Sequence, residues 1–164
     1  MTTTINNAQK ITPCLWFDNN AEEAVNFYSS LFKDTKILEV SHYGENAPLP
    51  AGTVLTISFL LEGQEFMALN GGPMFKFSPG VSFVISCETQ DEIDHFWEKL
   101  SEGGEKQNCG WLQDKYGLSW QVVPAILPVL FKDKDKAKSQ RVMDALLKMY
   151  KLDIGELMKA YDGK

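Results

Sequence analysis

LWFDNNAEEAVNFYSSL, residues 15–31, and VISCETQDEIDHFWEKL, residues 84–100, are two copies of one pattern. At an offset of 69 residues Leu15 falls on Val84, Asn20 to Glu23 on Thr89 to Glu92, Phe27-Tyr28 on Phe96-Trp97, and Leu31 on Leu100. Each copy opens as a short apolar strand, passes a polar cap, and becomes an amphipathic helix with apolar residues at helical spacing. A repeated strand–helix unit predicts internal two-fold symmetry with a cleft shared by the halves.

Working outward, Ile11–Phe17 reads as the first strand. Asn20 with Glu23, and Thr89 with Glu92, have the spacing of capping boxes. Lys36–Tyr43 is a strand, 44–52 a loop rich in Gly and Pro, and Thr53–Leu61 with Gln64–Asn70 a hairpin turning at Glu62-Gly63. Gly71-Gly72-Pro73 opens a linker that runs to Gly80. In the second copy, Val81–Cys87 is a strand, Ile93, Phe96, Trp97 and Leu100 are the apolar helix face, and Gly103-Gly104 ends the helix. Two more strands, Lys106–Asp114 and Leu118–Val123, turn at residues 114–117. The first module is thus βαβββ, the second is read by the repeat as the same unit, and the fold class is α+β.

After Pro124 the pattern becomes helical. Asp133 or Asp135 caps a helix carrying Val142, Leu146, Met149 and Tyr150 inward. Asp153 with Glu156 begins a last helix to about Tyr161, with Leu152 and Leu157 as a hydrophobic staple. The domain reading is 9–124 for the paired modules, 11–70 and 81–123, and 125–164 for a C-terminal helical extension. Residues 1–9 are polar and expected to fray.

Bulk composition excludes several classes. With 164 residues the chain buries roughly 68–70% of its unfolded surface and needs no staples. A net charge of −6 argues against nucleic acid as a partner. No apolar run approaches the ~20 residues that span a bilayer, and Met1–Asn7 lacks signal-peptide character, which gives a cytoplasmic expectation. The three cysteines, Cys14, Cys87 and Cys109, lack metal-type spacing. His42 and His95 lie apart, on a strand and a helix, and read as surface or structural residues.

Pro13 to Ala24 followed by Phe27-Tyr28, then Leu69 to Pro73, Gly110 to Asp114, Gly117 to Pro124 and Arg141 to Met149, resemble the PhnB-like branch of the vicinal oxygen chelate superfamily. That superfamily holds the glyoxalases, bleomycin-resistance proteins and extradiol dioxygenases. The resemblance spans residues 9–162. Members of the branch often carry the name 3-demethylubiquinone-9 3-methyltransferase. The resemblance implies sheets rolled around a concave pocket and pairing of modules within or between chains. It implies metal-ligand positions at Pro13 and Met67 in the first module and Ser82 and Gln121 in the second. Proline has no side-chain donor, methionine is a soft thioether, and serine and glutamine are neutral, so no tightly held metal and no cofactor is expected.

Strand alternation, taken at the same offset, sends Pro13, Leu15 and Phe17 to one face with Glu65, Met67 and Leu69. It sends Ser82, Val84 and Ser86 to the matching face with Ser119, Gln121 and Val123. Such faces either line a small-molecule pocket or fill a closed core. Gln121 either meets a ligand or bonds Ser82 across the pseudo-dyad. Trp111 and Trp120 either stack on a ligand or pack on a helix. Asp114 reads as a turn residue. The ligand-binding candidates are Phe17, Met67, Ser82, Trp111 and Gln121, with no catalytic residue assigned. The expected function is binding of a small, partly apolar molecule in the cleft between the modules. The alternative is an enzyme: a methyltransferase, as the branch is named, or a lyase or isomerase using a weakly bound metal. The wide apolar stripe Val142, Met143, Leu146, Leu147, Met149 and Tyr150 argues for a homodimer.

Overall fold

The computed structural model describes residues 9–164, and the chain divides into two compact units, residues 1–76 and 77–164. In the first unit β1 (Cys14–Phe17) leads to α1 (Ala21–Leu31), β2 (Lys36–His42), β3 (Val54–Leu61) and β4 (Gln64–Asn70). The sheet order is β1-β4-β3-β2, with β1 parallel to β4 and the other pairs antiparallel. In the second, β5 (Ser82–Cys87), α2 (Gln90–Ser101), β6 (Glu105–Lys106), β7 (Trp111–Gln113) and β8 (Ser119–Pro124) give the order β5-β8-β7-β6 with the same directions. Both units are thus βαβββ modules of glyoxalase-like type. The extension supplies α3 (Leu127–Phe131), α4 (Lys136–Leu146) and α5 (Ile154–Asp162).

One helix covers one face of each sheet. Under α1 lie Leu15, Phe17, Ile57, Phe59, Phe66 and Ala68, all buried against Ala24, Val25 and Tyr28. Under α2 lie Ile85, Cys87, Leu112, Trp120 and Val122, against Ile93, Trp97 and Leu100. The helices keep the 69-residue offset: Tyr28 and Trp97 are equivalent buried positions.

The strands do not keep it. Leu15 and Phe17 are the helix-facing residues of β1, and Ile85 and Cys87 those of β5, which is an offset of 70. Leu15 pairs with Ala68 and Phe17 with Asn70; Ile85 pairs with Val122 and Cys87 with Pro124. The connection from strand to helix is therefore one residue shorter in the second module. A one-residue slip turns every strand side chain to the other face. The expected grouping of Leu15 and Phe17 with Met67 and Leu69 is corrected accordingly.

The caps also differ. Thr89 Oγ1 accepts from Glu92 N at 3.2 Å, and the Glu92 carboxylate accepts from Glu88 N at 2.7 Å. Asn20 occupies the cap position of α1 but makes no side-chain cap bond. Asn70 does the work instead. Its Oδ1 accepts from Ala21 N at 2.9 Å, and its Nδ2 donates to Val54 O at 3.0 Å. Asp135 caps α4, and Asp153 caps α5. The expected fraying of residues 1–9 lies outside the described residues except at Gln9. There the side-chain amide pairs with both backbone groups of Glu65, at 2.8 and 3.1 Å.

The stretch expected to be one strand, Lys106–Asp114, is broken. Cys109 and Gly110 adopt positive φ, +61° and +81°, and donate their N–H groups to Met149 O and Tyr150 O. The extension thus claims hydrogen bonds that an uninterrupted ladder would use. A short helix, α3, precedes the expected α4, and α4 ends at Leu146, so Met149 and Tyr150 follow it; Met149 still packs on the extension core, while Tyr150 is 59% exposed. Leu127, Leu130, Val142, Leu146, Leu152 and Leu157 form their own apolar core, with Cys109 and Val123 packed against it.

Candidate functional site

Four of the five candidates, Met67, Ser82, Trp111 and Gln121, lie on the face of a sheet opposite its helix. In the second unit it is built in rows. Ser82 pairs with Ser119, and Ser119 with Gln113. In the next row Val84 pairs with Gln121, and Gln121 with Trp111; Ser86 and Val123 follow. Paired residues point to the same side of a sheet. Ser82, Trp111 and Gln121 therefore share one face; the sequence placed Ser82 and Gln121 there and left Trp111 open between a ligand and a helix. Trp120 is helix-facing, and its Nε1 donates to Asp114 Oδ2 at 2.9 Å. Asp114 also accepts from Tyr116 N and Leu118 N at 2.9 and 3.0 Å, which makes it the anchor of its turn.

Gln121 Nε2 donates to Ser82 Oγ at 3.0 Å. Of the two alternatives for Gln121, the bond to Ser82 is the one formed, and it joins neighbouring strands of a single sheet rather than crossing a module axis. One end of this face is closed by the extension. Val123 packs on the extension core, and Gly110, next to Trp111, lies against Leu152 so closely that a Cβ there would sit 3.1 Å from Leu152 Cδ1 and 2.7 Å from Val122 O.

In the first unit Met67 stands beside Cys14, and Leu69 beside Trp16. Phe17 is not with them. It is 3% exposed on the helix-covered side, where it pairs with Asn70. Trp16 takes the position that sequence reasoning assigned to its neighbours. Its Nε1 donates to Gly72 O at 2.8 Å, and Phe75 meets its ring edge-on at 4.9 Å between centroids. A Cβ on Gly71 would come within 2.3 Å of the indole, so only glycine fits beneath that ring. The signal for Trp16 was present in the sequence as strand parity, but the wrong offset hid it.

Charged side chains enter these rows only at the sheet edges: Glu39 is in register with Ser58, Met67 and Cys14, and Glu105 with Gln113. Among the described residues no three His, Cys, Asp or Glu side chains come together. The Cys14 thiol is pushed above its ordinary range by burial, which favours the neutral form over the thiolate that binds metals. At the four positions the resemblance implies, Pro13 has no side-chain donor, Met67 is a soft thioether, and Ser82 and Gln121 are neutral and bonded to each other, so a divalent ion finds no charged ligand among them. The surface hollow lined by Glu98, Lys99, Ser101, Glu102 and Lys106, at the end of α2, holds none of the five candidates.

Both the module pattern and the face chemistry can be set against known proteins. The family model for 3-demethylubiquinone-9 3-methyltransferase matches residues 9–123. The chain belongs to this family. A solved structure of a PhnB protein from Bacillus cereus is 43% identical, with a TM-score of 0.66. The match covers 71% of this chain and 100% of that one. A Pseudomonas aeruginosa protein is 21% identical with a TM-score of 0.59, over 71% of this chain and 98% of that one. The fosfomycin resistance protein FosX from Listeria monocytogenes is 15% identical with a TM-score of 0.55, over 77% and 98%. These last two share the fold. No curated protein matches the chain. The C-terminal extension lies beyond the residues that the family model matches. No helix among the described residues is long and apolar enough to cross a membrane.

Proposed function

We propose that this PhnB-like protein binds a small, partly apolar molecule in the cleft between its two modules, without a tightly held metal. The observation that carries this reading is the row Val84–Gln121–Trp111, where an amide stands between an apolar side chain and a half-buried indole. Small-molecule sites combine apolar walls with a few polar points in this way. Met67, Trp16 and Leu69 on the first sheet add further apolar surface. Ser82, Met67, Trp111 and Gln121 are the ligand-contacting residues in this proposal. Phe17 acts behind the sheet as core. Residues 9–124 make one glyoxalase-like domain, 125–164 its extension, and the protein works as a cytoplasmic homodimer.

A methyltransferase reading is favoured by the family's name alone. Nucleotide-type cofactors are usually held at the Gly-rich turn of a doubly wound parallel sheet. Two four-stranded sheets, each backed by one helix, are a different architecture.

Native mass spectrometry of freshly purified protein tests the proposal. A co-purified organic molecule is expected, with no divalent ion at near-stoichiometric level after dialysis. Stabilisation by zinc, nickel or iron in a thermal-shift series, together with stoichiometric metal by elemental analysis, would favour the enzyme instead.

A further inference from the structure

Ser119 is polar, 1% exposed, and its Oγ has no hydrogen-bond partner among the described residues. Ser29 Oγ is the other such atom, on α1. Ser119 differs because it lies in the open-face row of the second sheet, directly beside Ser82. Ser82 Oγ accepts from Gln121 Nε2, so its own O–H is left to donate. Neighbouring strands run about 4.8 Å apart, which places two serine hydroxyls within reach of one acceptor atom. A carbonyl oxygen has two lone pairs and can take both donors. The charge nearest in register is Glu105, which pairs with Gln113 at the edge of the same row and would repel an anion. No cation stands in these rows.

We propose that Ser82 and Ser119 are a donor pair for the uncharged carbonyl or amide oxygen of the ligand, whose aromatic or apolar body lies toward Trp111. This rests on the reading of the open face as a binding site and adds the ligand's chemical class. Because the Ser119 hydroxyl is buried, contact requires a neighbouring side chain to move. Gln121, two residues along β8 and held to Ser82 by one bond, is the latch. On release its amide turns from Ser82 to the ligand.

Benzamide and benzoate test the class, because they share shape and differ in charge. Two-dimensional NMR of the full chain should show benzamide saturably shifting the backbone signals of Ser82, Ser119 and Gln121 and the Trp111 indole. Benzoate should bind more weakly by about tenfold or more, because its carboxylate would be buried with no cation to pair it and with Glu105 in the same row. Ser119→Ala should weaken benzamide by about tenfold with an unchanged fold, while Ser86→Ala, at the far end of the face, leaves it unaltered. Equal binding of benzoate, no saturable shift with benzamide, or an unaffected Ser119→Ala variant would overturn the proposal. So would a crystal structure in which an ordered water keeps Ser119 while benzamide is bound. A co-purified anion in the native mass spectrum would leave the binding role standing and sink the uncharged class.

Discussion

Asn70 carries three connections from one strand end. Its side chain accepts from the first N–H of α1 and donates to β3, and its carbonyl accepts from Tyr43 Oη at 2.7 Å. Because it is 1% exposed, its amide cannot turn to water if a partner is lost. Asn70→Ala removes a cap and orphans Val54 O, and should cost about 2–4 kcal/mol in a urea melt. Asn70→Asp keeps the acceptor for Ala21 N but loses the donor and buries a charge, so it should be no milder. From the sequence Asn70 reads as a residue before a Gly-Gly turn, because its partners lie 49 and 16 positions away. Cysteine chemistry at this scale is also fixed by burial. The Cys87 thiol is pushed up to about 12, first by desolvation and then by the Glu92 carboxylate. At pH 8 iodoacetamide should label Cys14, an accessible thiol slowed by its raised pKa, and leave Cys87 untouched until the protein unfolds. Mass spectrometry of the peptides reads this directly.

At the scale of elements, the helices and strands of the two modules carry different amounts of information. Helix equivalence was legible because Phe27-Tyr28 and Phe96-Trp97 align across more than two turns, and apolar spacing fixes which side is inward. The short β1 and β5 have only four and six residues, with apolar residues on both faces, so parity had no anchor of its own. Inheriting the helix offset moved Phe17 onto the wrong face and hid Trp16. Ser82 and Gln121 keep their expected side because alternation within β5 and β8 holds without the repeat, whereas Trp111 is placed only by its pairing with Gln121. Capping separates the modules again. Thr89→Ala should destabilise by about 1 kcal/mol, whereas Asn20→Ala should be near neutral, since only Thr89 makes the cap bond. Denaturant midpoints of the two variants decide it. Further along α2, Lys151 Nζ lies 2.8 Å from Asp94, and this bond, with a second from Gln90, holds the Asp94 carboxyl below 3.8. A lowered carboxyl pKa stabilises above the unfolded value and is lost as pH falls through the folded one. An NMR titration should show the Asp94 midpoint return toward 3.8 in Lys151→Ala. The pair is largely exposed, so its contribution to stability is screened.

The whole molecule departs from the bare pair of modules through its extension. Cys109 and Gly110 bond Met149 and Tyr150 on one side, and Gln90 pairs its amide with Leu152 O and Ile154 N on the other, at 3.1 and 2.9 Å. The sequence showed the last helix, its cap and its staple, since these are local. It did not show that residues 149–154 are held from both sides, because that depends on groups about 40 and 62 positions away. The expected stripe is split by this arrangement. Val142 and Leu146 are taken into the extension core, while Met143, Leu147 and Tyr150 are left in water, at 37, 59 and 59% exposure. Val129 on α3 is likewise 65% exposed. Burying these side chains against a second copy would recover about 1.5–3 kcal/mol for each fully covered large residue. A two-fold pair is the commonest closed assembly. Light scattering should therefore give a dimer for the full chain at micromolar concentration. Leu147→Glu with Tyr150→Ser should give a folded monomer, because neither side chain belongs to the internal core. A full-length chain that is monomeric and well folded would show that the extension satisfies itself, and a double variant that stays dimeric would place the interface elsewhere.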